Sequence, residues 1–181
     1  MLGAATDVTL ARVYSSSVVL EEFVIMIGVG DLAPNFAIDG VEGDGTGQRT
    51  FSLQDYRGAP VILVFYPADN SPVCTAQLRS YTDDMSVFAS VGAQVLALSP
   101  QSVAAHRDFA QQNGGFGFPL LSDVDKSVAK SFGILGPIGF YRRSVFIIDA
   151  DGVVQWARRA AAGLTFRPVD EIVDAVRAIS S

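Results

Sequence analysis

The stretch that most restricts this chain is the apolar run Val61-Ile62-Leu63-Val64-Phe65-Tyr66, which stops at Pro67 and gives way to a polar turn and a long amphipathic segment. An unbroken run of branched and aromatic residues reads as a strand buried on both faces. From Val73 onward, Leu78, Tyr81, Met85, Phe88 and Val91 recur at spacings that keep them on one helical face. Gly92 then supplies a C-terminal stop. Ser71 suits the N-cap, and Pro72 suits the first helical position, where no backbone N–H is needed. Strand, short turn and helix in this order place the chain among α/β folds.

Cys74, the only cysteine among the 181 residues, falls third in that helix. There the unpaired N–H groups and the positive end of the helix dipole favour an anion, and the thiolate is the reactive form of cysteine. A single cysteine in other settings is commonly a small, inert core residue. Its position at a strand–turn–helix junction with a Ser-Pro start points instead to thiol chemistry.

The remaining elements follow in order. Phe36-Ala37-Ile38 and Thr50-Phe51-Ser52-Leu53 read as two short strands, joined through Gly40 to Gly47 by a flexible hairpin connection. That glycine-rich segment lacks the Gly-Lys-Ser/Thr and following helix of a phosphate loop. Gln94 to Leu98 is a second buried strand. Ser102 can cap a helix carrying Val103, His106, Phe109 and Ala110, which ends near Asn113-Gly114-Gly115. His106, next to Arg107 and Asp108, reads as a surface histidine. Phe116 to Leu121 gives a short strand, and Ser122 or Asp123 caps a small helix through Phe132. Ile134 to Tyr141 is an apolar loop punctuated by glycine and proline, suited to a rim or contact surface. Arg143 to Asp149 and Val153 to Arg158 form two strands about the turn Ala150-Asp151-Gly152. Period two puts Arg143, Val145, Ile147 and Asp149 on one face and Arg142 on the other. Trp156 on the second strand reads as core or interface. After Pro168 a final helix carries Ile172, Val173, Val176 and Ile179 on one face. The core order β–α–β–α–β–β–α describes a thioredoxin-like α/β fold: a central mixed sheet flanked by helices, with an N-terminal β-hairpin addition and a small strand–helix insertion.

Composition bounds the function. The net charge is −6, from 13 basic and 19 acidic residues, which argues against nucleic acid or an anionic membrane as a partner. Hydrophobic residues make up 49%, ample for one core, yet no run approaches the ~20 apolar residues of a membrane span. One cysteine and one histidine exclude a disulfide scaffold, a Cys-x-x-Cys oxidoreductase and a cysteine- or histidine-rich metal site. The expected compartment is the reducing cytoplasm. Residues 1–28 are expected to form an N-terminal extension, disordered or packed at an interface, ahead of a domain over residues 29–181. Asp7 and the pair Glu21-Glu22 interrupt its apolar patches, which makes a poor signal peptide.

The segment from Phe65 to Thr75 resembles the peroxiredoxins, whose motif Pro-x-x-x-(Thr/Ser)-x-x-Cys is met by Pro67, Ser71 and Cys74. Phe65-Tyr66-Pro67-Ala68-Asp69-Asn70 is similar to the Q-type (bacterioferritin comigratory protein-like) group. Val29 to Phe36, Leu121-Ser122-Asp123 and Arg143 to Asp149 resemble further landmarks, so the likeness runs from about Val29 to about Ile179. It implies a thiol-dependent peroxidase for hydrogen peroxide or organic hydroperoxides. Cys74 is then the peroxidatic thiolate, and Pro67 shields it. Ser71 stands where most members have Thr and binds peroxide together with the N–H groups of Val73 and Cys74. Arg143 positions the peroxide. Gln77 stands where many members have Glu and supports the arginine. Many Q-type members carry a resolving cysteine five residues after the first; here that position is Arg79. The resemblance therefore implies a one-cysteine cycle: a sulfenic acid reduced by an external thiol or a thioredoxin-like protein. No cofactor or metal is implied, and a homodimer is among the arrangements expected. A redox sensor, chaperone or interaction module on the same fold is the alternative.

Overall fold

The computed structural model describes residues 26–160 and 165–179. The expectation for residues 1–25 lies outside them. The strands are β1 (Ala37–Val41), β2 (Arg49–Ser52), β3 (Val61–Phe65), β4 (Gln94–Ser99), β5 (Leu120–Ser122), β6 (Ser144–Ile148) and β7 (Val154–Arg159). The helices are α1 (Pro72–Asp83), α2 (Met85–Ser90), α3 (Val103–Gln112), α4 (Ser127–Ser131) and α5 (Val169–Ile179). One seven-stranded sheet runs in the order β2-β1-β5-β4-β3-β6-β7. β3 pairs parallel to β4 on one side and antiparallel to β6 on the other, so the sheet is mixed. This is the thioredoxin-like arrangement read from the sequence, with β1–β2 as the added hairpin and β5–α4 as the insertion.

The apolar run becomes β3, and all five of its residues are buried. Because successive strand side chains point to opposite faces, it feeds two cores. Ile62 and Val64, followed by Tyr66, pack with Leu78 and Tyr81 of α1, Phe88 of α2, and Ile172 and Val176 of α5. Val61, Leu63 and Phe65 face Phe132, Phe146 and Leu53. Covering both faces is what permits a run with no polar alternation.

Three expectations are corrected. The single long helix is two: α1 ends at Asp84 (φ −101°, ψ 19°), and α2 starts at Met85. The break follows Thr82-Asp83-Asp84, side chains that compete with the helix for backbone hydrogen bonds. The apolar stripe survives it, since Tyr81 and Phe88 meet edge-on with ring centroids 5.9 Å apart. The glycine-rich hairpin is packed rather than free. Gly43 C=O accepts from Phe116 N–H at 2.7 Å, and a Cβ there would lie 2.0 Å from the Phe116 carbonyl oxygen. At the start of α4 the N-cap position is Lys126, in left-handed backbone. Asp123 still serves the helix from a distance: its carboxylate accepts from Val128 N–H at 3.0 Å and Ala129 N–H at 2.9 Å.

Phe146 is fully buried, with its ring 5.7 Å from that of Phe65 and 5.1 Å from that of Phe132. Phe146→Ala is expected to cost about 3–5 kcal/mol through lost burial and the cavity left behind. Urea unfolding should show a lower midpoint at unchanged slope; an unaltered midpoint would contradict this account of the core.

Candidate active site

The site forms where β3 hands the chain to α1. After Phe65 the backbone passes through a turn in which Asn70 takes a left-handed conformation (φ 58°), one that asparagine tolerates better than most residues. Ser71 is extended (φ −73°, ψ 132°), and Pro72 opens the helix. Cys74 is third in it and fully buried. The helical ladder begins with Thr75 N–H donating to Ser71 C=O at 2.9 Å, so the N–H groups of Val73 and Cys74 belong to the first-turn donors that precede it. Ser71 holds the N-cap position, but its hydroxyl makes no capping bond, contrary to expectation. Ser71, Pro67 and Val73 are all half-buried around the thiol's turn.

Arg143 arrives from the neighbouring strand. The antiparallel register pairs Phe65 with Ser144, which brings the residue before β6 alongside the point where β3 ends. Arg143 is 3% exposed, and its Nη2 donates to Cys74 Sγ at 3.2 Å. Its Nη1 donates to Gln77 Oε1. Gln77, one turn after Cys74, is fully buried; its Nε2 donates to Tyr81 Oη at 3.3 Å, and Tyr81 Oη donates to Arg167 C=O at 2.7 Å. Arg142 lies on the other side, with its backbone N–H donating to Ile134 C=O and its side chain beside Gly136. The two arginines thus lie on opposite sides, as the alternation predicts, and it is Arg143, the one singled out by the family resemblance, that lies against the thiol. A cleft of about 380 Å³ opens beside Arg143 and Gln77 and is also lined by Arg158, Arg159 and Arg167.

His106 was expected at the surface and is instead completely buried. Its Nδ1 lies 2.9 Å from Asp69 Oδ2 and its Nε2 3.1 Å from Leu121 C=O. Tyr66 Oη donates to Asp69 Oδ1 at 2.8 Å. Burial, together with the Asp69 carboxylate, pushes the Tyr66 phenol well above its ordinary range. The signal was present in the sequence: His106 precedes Phe109 by three residues and Ala110 by four, which is the buried face of α3. The polar neighbours Arg107 and Asp108 obscured it. In the Ile134–Tyr141 loop, Ile134 is buried, whereas Ile138 at the tip is fully exposed and Phe140 is 53% exposed.

Three comparisons with known proteins place the chain in a family. A model of the AhpC/TSA family matches residues 29–157. The chloroplastic 2-Cys peroxiredoxin BAS1 of Hordeum vulgare is 37% identical over 162 residues, covering 83% of this chain and 74% of the relative. The chloroplastic peroxiredoxin Q of Oryza sativa subsp. japonica is 32% identical over 161 residues, covering 86% and 70%. The solved structure of Mycobacterium tuberculosis AhpC superposes with a TM-score of 0.79 at 25% identity, covering 86% of this chain and 94% of that one.

Burial, only partly offset by the Gln77 hydrogen bond, pushes the Tyr81 phenol up to about 12. The folded chain then keeps a proton that the unfolded chain releases near pH 10, so this contribution to stability is present below about pH 10 and fades as pH rises toward 12. Urea titrations across that window should show a shallower loss of stability for Tyr81→Phe than for wild type. Equal slopes would contradict the assignment.

Proposed function

The chain belongs to the AhpC/TSA family and is a peroxiredoxin, and we propose that its one thiol reduces peroxide with the residues gathered around Arg143. The observation that carries this reading is the buried guanidinium donating to Cys74 Sγ at 3.2 Å, where Cys74 closes the run Pro67-x-x-x-Ser71-Pro72-x-Cys74 in the first turn of α1. A fixed cation and first-turn N–H groups aimed at one small volume suit a reaction in which negative charge moves between sulfur and oxygen.

In the proposed cycle the Cys74 thiolate attacks one peroxide oxygen. The S–O bond forms as the O–O bond breaks, and the electron pair goes to the second oxygen, which takes a proton and leaves as water or an alcohol. Ser71, whose hydroxyl is not committed to capping, and the N–H groups of Val73 and Cys74 hold the peroxide. Arg143 stabilises the charge on both sulfur and leaving oxygen. Gln77 accepts from Arg143 without bringing a negative charge of its own, so it holds the guanidinium in place while leaving its charge to the thiol. Half-buried Pro67 limits water at the sulfur.

Recycling has to come from outside. The relatives named 2-Cys peroxiredoxin refer to a second cysteine, and this chain has one. A first external thiol attacks the sulfenic acid, forming a mixed disulfide and water. A second thiol displaces Cys74, which returns as thiolate while the two reductant sulfurs leave as a disulfide. A low-molecular-weight thiol or a thioredoxin-like protein fits this chemistry, and the reducing cytoplasm would supply either. The exposed Ile138 and Phe140 make the loop before β6 the surface that a second subunit would cover in a homodimer.

Cys74→Ser should reduce thiol-dependent peroxide turnover to background while far-UV circular dichroism stays unchanged. Retained turnover would refute the assignment. Arg143→Met should slow oxidation of Cys74 by about 10²-fold or more, the usual cost of removing one preorganised donor. An unchanged stopped-flow rate would remove Arg143 from the site.

A further inference from the structure

We infer that Asp69 and His106 form a hydrogen-bonded tether that positions the peroxide-binding turn, acting on the reaction through Pro67, Ser71 and Cys74 without touching the substrate. The inference rests on the peroxidase reading above and adds two positioning residues to it. Asp69 sits in the turn between β3 and α1, two residues after Pro67 and two before Ser71. Its side chain is 4% exposed and that of His106 is fully buried. Each carboxylate oxygen is used: Oδ1 accepts from Tyr66 at 2.8 Å, and Oδ2 lies 2.9 Å from His106 Nδ1. The backbone N–H of Asp69 donates to Gln101 Oε1 at 3.2 Å, and Ser99 Oγ donates to the same oxygen at 2.7 Å. His106 Nε2 faces Leu121 C=O at 3.1 Å. The turn is thus tied to the end of β4, to α3 and to β5 at one residue.

Proton accounting limits what this cluster can be. A carbonyl only accepts, so Nε2 carries a hydrogen; Nδ1 and Oδ2 share a second, whichever atom holds it. Every polar atom of the pair is then satisfied. Burying such a pair is a poor way to gain stability compared with apolar side chains of similar volume, whereas its directed bonds set position. The turn has reason to need that. Asn70 is in left-handed backbone, and the hydroxyl of Ser71 does not cap α1, so the helix start carrying Cys74 is not held by its own cap.

The chemistry provides a discriminating series. In Asp69→Asn the amide oxygen can still accept from Tyr66, its N–H₂ can donate to Nδ1, and Nε2–H can still reach Leu121, so the tether survives without the carboxylate. In the double variant Asp69→Asn/His106→Phe the tether is cut and no buried charge is left unpaired. Stopped-flow oxidation by hydrogen peroxide is compared with alkylation of Cys74 by iodoacetamide, which needs the thiol but not the peroxide-binding groups. The expected result is oxidation within about threefold of wild type for Asp69→Asn and about tenfold or more slower for the double variant. Alkylation should be unchanged or faster in the double variant, because a loosened turn uncovers the sulfur. The inference is overturned if the double variant oxidises as fast as wild type. It is equally overturned if alkylation slows in parallel or if Asp69→Asn loses as much as the double variant. Should the double variant not fold, Asp69→Asn/His106→Leu, which cuts the same Asp69–His106 contact with a smaller apolar side chain, is read by the same criteria. Failure of the peroxidase reading is distinguishable, because wild type itself would then lack rapid oxidation.

Discussion

Arg143 reaches Cys74 only because two strands distant in sequence are held in one register. β6 runs antiparallel to β3, and the pairing of Phe65 with Ser144 brings the residue before β6 level with the exit of β3. The same exit launches α1, whose first turn carries the thiol. A slip of one residue would turn Arg143 to the opposite face and put Arg142 in its place. Both faces of the sheet resist that slip. Val145 and Ile147 are packed with Cys74 and Leu78 on one side, and Phe146 and Ile148 with Phe65 and Phe132 on the other. The two cores therefore do more than stabilise the domain, since they fix the distance between a cation and a sulfur.

A neutral support for Arg143 and a single cysteine both have chemical consequences at this site. Gln77 gives Arg143 a hydrogen-bonded support that brings no charge, and Gln77 is itself steadied by Tyr81 and, through it, by the Arg167 carbonyl. With a single cysteine in the sequence, the proposed cycle draws on an outside reductant. The 380 Å³ cleft lies beside Arg143 and Gln77, and the thiol is not among the residues that line it.

Much of this architecture was legible in the chain. The β3 run, the Ser-Pro helix start, the turn at Gly152 and the alternation that sets Arg142 and Arg143 on opposite faces are local patterns, and local patterns survive into the fold. What escaped notice depended on contacts between distant segments. His106 looked exposed because its immediate neighbours are charged, yet it shares a face with Phe109 and Ala110, and the acceptors that make its burial tolerable come from Asp69 and Leu121. The role of Gly43 rests on the backbone of Phe116, which no pattern within the hairpin contains. The unused hydroxyl of Ser71 is the reverse case: residue type and position suited a cap, and the bond is not made. The break at Asp84 was readable from Thr82-Asp83-Asp84 but was outweighed by the continuous apolar stripe.

The most direct test of the central claim is to mix reduced protein with one equivalent of hydrogen peroxide and follow Cys74 by stopped flow and intact mass. The account predicts gain of a single oxygen, trapped as a sulfenic acid, at a rate far above that of free cysteine thiolate. Oxidation no faster than free cysteine, with hydrogen peroxide and with a bulkier organic hydroperoxide alike, would contradict it.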